Sequence, residues 1–88
     1  MAAKKIEYSN AQISYDKIGD VLYISFGKPR PAICDEVDQG DLIRIDPLTD
    51  EIVGITVLNY KKKYDLSVEF AKDIIPLIIS KFKNHIAN

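Results

Sequence analysis

The sequence predicts an α+β fold: a small antiparallel β-meander of about five strands with a C-terminal helix packed on one face. Three observations predict it. Between residues 12 and 58, short runs of alternating or continuous apolar residues are separated by Gly, Pro and Asp turns. From Ser67 onward the apolar spacing changes to that of a helix. The 88 residues, 47% hydrophobic and 28% charged with a net charge of −1, fit one small core and exclude bulk disorder, a collagen-like chain and a polycation. The chain is therefore expected to form a single domain over 1–88, with residues 1–11 partly frayed, the sheet over 12–58 and the amphipathic helix over 67–86.

Gln12-Ile13-Ser14-Tyr15-Asp16 alternates polar and apolar residues, as a half-buried strand does. Lys17-Ile18-Gly19-Asp20 supplies a turn. Val21-Leu22-Tyr23-Ile24-Ser25-Phe26 is rich in β-formers and reads as a central strand, ended by Gly27-Lys28-Pro29-Arg30-Pro31. Residues 32–37 suit an edge strand, because Asp35 and Glu36 interrupt the pattern. After Gln39-Gly40-Asp41, Ile43 and Ile45 share one strand face while Leu42, Arg44 and Asp46 share the other. Pro47 to Glu51 turns into the last strand, Ile52 to Leu58, where Gly54 marks a close approach of another backbone or a bulky side chain. Connections this short favour sequential antiparallel pairing. In the helix, Ser67 is placed to cap, and Glu69 near the start with Lys81, Lys83 and His85 near the end suits the dipole. Val68, Ala71, Ile74, Ile75, Ile78, Ile79, Phe82 and Ile86 form its apolar face, and Pro76 kinks or restarts it.

One helix covers one sheet face, yet the second and fifth strands read as apolar on both. Phe70 and Leu77 also lie off the helix's main stripe. Val21, Tyr23, Ile52, Phe70 and Leu77 are thus the candidate interaction surface, and a homodimer is the expected way to bury it. In a monomer, Ile6, Tyr8 and large Tyr side chains would have to cover that face instead.

Chemistry-bearing patterns are sparse. The single cysteine, Cys34, excludes an intrachain disulfide and reads as a small buried hydrophobe in a strand. One histidine, His85 near the end of the sequence, offers no nucleophilic triad; no Cys/His spacing suits zinc, no Asp spacing suits a calcium loop, and the separated glycines form no phosphate-cradling loop. No metal or cofactor is expected. Residues 1–59 carry six Lys and Arg against ten Asp and Glu, and residues 60–88 six against three, so charges of −4 and +3 make up the net −1. Tyr60-Lys61-Lys62-Lys63-Tyr64 interleaves lysines with aromatics before the helix and is the candidate nucleic-acid contact, with lysines on phosphates and tyrosines stacked on bases. Asp16, Asp20 and Tyr23 form the candidate small-molecule or acid–base constellation, against a plain turn-forming role. Tyr15 and Tyr23 are placed to pair across strands. The lysine-bearing N-terminus lacks an apolar run and the longest apolar stretch, Ile74 to Ile79 around Pro76, is too short to span a bilayer, so a cytoplasmic protein is expected.

Tyr15-Asp16, Gly19-Asp20-Val21-Leu22-Tyr23-Ile24, then Gly40-Asp41-Leu42-Ile43-x-Ile45-Asp46, then Ile52-Val53-Gly54-Ile55-Thr56-Val57-Leu58-Asn59 together resemble the small bacterial domain-of-unknown-function family numbered 2283, over roughly residues 13–60. The chain departs at Thr56, where the family usually carries Glu, and its long C-terminal helix extends past the shared core. The resemblance implies a small antiparallel sheet with a helix and brings no activity, substrate or catalytic residue. The sequence thus points to a non-enzymatic protein-interaction module that self-associates and docks a small protein partner. The alternatives are a weak nucleic-acid-binding or antitoxin-like protein and a small-molecule binder or enzyme.

Overall fold

The computed structural model describes residues 11–28 and 30–87, the side chains of 85–87 excepted. The fraying expected at the N-terminus, the covering role of Ile6 and Tyr8, the turn role of Pro29 and the side-chain roles of His85 and Ile86 lie outside the described residues. The alternating runs form β1 (Ala11–Asp16), β2 (Val21–Phe26), β3 (Ile33–Asp38), β4 (Asp41–Ile45) and β5 (Ile52–Leu58). A short helix α1 (Tyr60–Tyr64), a 3-10 segment (Val68–Ile74) and helix α2 (Ile75–Ala87) follow.

The five strands are antiparallel throughout and stand in the order β1-β2-β5-β4-β3. The fold is α+β as expected, but strand order departs from a simple meander: the β1–β2 hairpin pairs with β5, and residues 27–32 carry the chain to the far edge. That step spans three strand spacings, about 14 Å, which six residues reach when extended. β2 and β5 carry the densest apolar runs, so placing them side by side gives both a partner on each edge and a helix above. β3, interrupted by acids, takes an edge, as expected.

Leu22, Ile24, Phe26, Ile43, Ile45, Ile52, Ile55 and Val57 pack against Ala71, Ile74, Ile75, Ile78, Ile79 and Phe82. The helical stripe is thus the one that the spacing predicts, and of the two outcomes expected at Pro76 the chain takes the restart rather than one kinked helix over 67–86. The first turns are 3-10, and Pro76 is the second residue of α2. Pro76 has no N–H to give the Lys72 carbonyl four residues back, and the Ile75 N–H takes that carbonyl with 3-10 spacing. Ser67 precedes the 3-10 segment without a side-chain cap bond; its carbonyl accepts from the Phe70 N–H. The cluster 60–64, which precedes the expected helix, is itself helical.

The outer sheet face corrects a second expectation. Register places Ser14, Tyr23, Thr56, Leu42 and Glu36 in one row across it, and Ser25, Gly54, Arg44 and Cys34 in the next. β2 and β5 are therefore mixed, not apolar, on this side. Cys34 is exposed rather than buried, because edge strand β3 has no layer over its outer side among the described residues. A Cβ at Gly54 would lie 2.8 Å from the Ile24 carbonyl oxygen, the backbone approach that this glycine predicts.

Candidate functional site

Strand direction brings the β1–β2 turn, the β3–β4 turn and α1 to the same end of the sheet, where two aspartates organise them. In the first turn, Asp16 Oδ1 accepts the N–H groups of Ile18 and Gly19, at 3.1 and 3.2 Å, an Asx-type turn. Asp20 follows with φ 56°, a left-handed conformation that Asp tolerates better than most residues. Its carbonyl accepts from Tyr60 N–H at 3.0 Å. Its carboxylate accepts from Lys61 N–H at 2.8 Å, Lys62 N–H at 3.2 Å and the Tyr15 hydroxyl at 2.7 Å. Asn59, in the N-cap position of α1, makes no side-chain cap bond. Asp20 does that work from about 40 residues upstream. The Lys61 N–H, then the Tyr15 hydroxyl, hold Asp20 below the usual carboxylate range. The bond to Asp20 helps push the Tyr15 phenol up to about 12.

Asp41 is the second organiser and is fully buried. Its Oδ1 lies 2.7 Å from Lys63 Nζ; its Oδ2 lies 2.7 Å from Lys81 Nζ and accepts from the Tyr64 hydroxyl at 2.6 Å. Lys81 also reaches Asp38 at 2.9 Å and donates to the Tyr64 oxygen at 3.1 Å. Two carboxylates and two ammoniums thus balance. Burial drives Asp41 upward, but the bonds from Lys63, Lys81 and Tyr64 together outweigh it and leave the carboxyl below its ordinary value. Burial also works against charged Lys81, and its bonds to Asp41, Asp38 and Tyr64 prevail, raising its affinity for the proton. Burial and then the bond to Asp41 raise Tyr64. Both ammoniums sit over the Tyr64 ring, 5.4 and 5.5 Å from its centroid. The rings of Tyr15, Tyr60 and Tyr64 run in sequence at 6.0 and 6.1 Å, joining the two aspartates.

This geometry redistributes the candidate residues. Tyr60 is buried, with its hydroxyl donating to the Ser67 carbonyl at 3.3 Å, and Tyr64 is bonded to Asp41. Neither tyrosine is free to stack on a base, and Lys63 is spent on Asp41. Lys61 and Lys62 remain exposed. Asp16, Asp20 and Tyr23 do not converge: the first two hold the turn and α1, while Tyr23 stands on the outer face. Tyr15 cannot pair with Tyr23, because Tyr15 lies opposite Leu22 on the helix side. Ile52 belongs to the core and not to the interaction surface, since the β5 bulge beside Val53 turns it to the helix side. Val21 is half-buried and Tyr23 44% exposed on the outer face, with Leu58 beside them at 40%. Phe70 and Leu77, 52% and 47% exposed, belong to the helix layer on the other side. No group of three or more His, Cys, Asp or Glu among the described residues is placed to hold a metal ion. No helix among them is long and apolar enough to cross a membrane.

Sequence reasoning missed Asp41. It shares strand parity with Ile43 and Ile45, and that was the available signal. Beside it a pocket of about 510 Å³ opens between Gln39-Gly40 and Leu58-Asn59, flanked by Glu36 and Lys62.

The molecule is thus a small α+β domain whose open antiparallel sheet is closed at one end by paired aspartate junctions. Residues 12–61 match the model of the family described as protein of unknown function (DUF2283), and the chain belongs to that family. The matched span holds Tyr15, Asp16, Asp20 and the Lys61 N–H that Asp20 caps; Lys63, Tyr64 and Lys81, the partners of Asp41, lie beyond it. No curated protein and no solved structure matches the chain.

Proposed function

We propose that this protein is a non-enzymatic interaction module that self-associates. The observation that carries the reading is the group of large apolar side chains left in water, Tyr23, Ile33 and Leu58 on the sheet and Phe70 and Leu77 on the helix layer, beside Ile18 and Leu48 in turns. The groups that would serve acid–base chemistry point the same way: Asp16, Asp20 and Asp41 each spend their carboxylate on holding the fold. A net charge of −1 leaves little repulsion between two copies. Light scattering on the eluting protein tests this. A mass near twice 9.9 kDa at micromolar concentration, kept at high salt, is expected; a mass of one chain across that range overturns it. Persistence at high salt also separates apolar burial from phosphate contacts through Lys61 and Lys62, which weaken steeply as salt rises.

A further inference from the structure

We propose that two copies join through the outer edge of β1, antiparallel across a two-fold axis at Ser14, giving one continuous ten-stranded sheet; this rests on the self-association read above. The two edges of the sheet differ. β3 carries Asp35, Glu36 and Asp38 and a bulge between Glu36 and Asp38, devices that keep an edge from pairing. β1 has no bulge: all six residues pair one-to-one with β2, from Ala11 with Phe26 to Asp16 with Val21. It contains no Lys, Arg or Pro, and its one charged side chain, Asp16, is folded onto the turn. Among the described residues no strand pairs with its outer edge, so alternate backbone N–H and C=O groups face outward.

The strand is also self-complementary. With the axis at Ser14, Ile13 faces Tyr15 of the second copy and Gln12 faces Asp16 of the second copy, each pair occurring twice. Aromatic against β-branched is a favourable cross-strand pair, Asp16 keeps its carboxylate on its own turn, and no like charges meet. Ala11, Ile13 and Tyr15, half-buried at the margin of the core, would gain cover. The 3-10 segment that packs beside β1 carries exposed Phe70 on the same side of the sheet, so the seam draws part of the helix-layer patch with it.

The test uses the full chain. Sedimentation equilibrium compares wild type with Ser14→Lys, Ser14→Asp and an equal mixture, and amide exchange of residues 11–16 is followed in wild type above and below its dissociation midpoint. Like charges at the axis should weaken each single variant about twofold to fivefold, and the mixture should recover or exceed wild-type affinity. Alternate β1 amides should gain protection in the dimer. A wild-type dimer whose β1 amides gain none, with both variants dimerising as wild type does, overturns the seam and leaves self-association standing. A wild-type monomer overturns both.

Discussion

Replacing Asp41 with Asn keeps the shape of the side chain and removes the charge that two ammoniums share. Removing one partner of a buried ion pair costs about 3–5 kcal/mol, and Asp41 is fully buried with three bonds to it. Two features temper the upper figure. Lys81 keeps Asp38 at 2.9 Å, and the Lys63 and Lys81 side chains, 31% and 27% exposed, can turn partly to water. The expected loss is therefore about 3 kcal/mol, the lower end of that range. Against a stability of roughly 4–13 kcal/mol for a chain of this size, this is a large fraction. It corresponds to a fall in Tm on the order of 12–24 °C. Urea and thermal unfolding of both proteins, followed by circular dichroism, measure it. A loss below about 1 kcal/mol would refute the reasoning, showing that the bonds to Asp41 merely offset its desolvation. The acid limb gives an independent reading. Because the folded pKa of Asp41 lies below its ordinary value, its contribution is present above about pH 4 and is lost as pH falls through the folded pKa. Wild type should lose stability through that window, and Asp41→Asn should lose less of it, Asp20 and Asp38 supplying the remainder.

Three further outcomes are expected. Tyr15 should ionise near pH 12 in wild type and closer to the ordinary tyrosine range in Asp20→Asn, read by ultraviolet difference absorbance assigned with Tyr15→Phe. Gly54→Ala forces a methyl toward the Ile24 carbonyl at the centre of the sheet and should cost about 1–3 kcal/mol in urea unfolding. Ile52→Ala should cost about 2–5 kcal/mol and Tyr23→Ala about 1 or less; equal costs would contradict the assignment of Ile52 to the core and Tyr23 to the outer face.

Much of the sheet was legible because strand parity is a local signal: Ile43 and Ile45 point inward, Gly54 meets a backbone, and β3 lies at an edge. Strand order was not, because β2 chooses between partners by what the whole sheet buries, and its neighbour β5 begins at Ile52, far along the chain. Helix α1 escaped notice for a related reason. Five residues are below the length at which a helix holds itself, and the cap that fixes it comes from Asp20. Asp41 stood on the inward parity all along, but Gly-Asp before a strand reads equally as a turn. Asp20 was legible as a turn residue but not as a cap, because Tyr15, Lys61 and Lys62, which bond its carboxylate, come to it only in the folded sheet and α1.

The distant capping of α1 also orders the folding reaction in time. Asp20 leaves the ribosome about 40 residues ahead of the amides it receives, and Asp41 a further 40 ahead of Lys81. A nascent chain therefore carries an uncompensated acidic front while the sheet is still being made. Helix α1 can nucleate only after the β1–β2 hairpin is in place, and Asp41 can be buried at low cost only once α2 delivers its lysine. The closing of this end of the molecule is thus expected late in folding, and substitutions there should accelerate unfolding more than they slow folding.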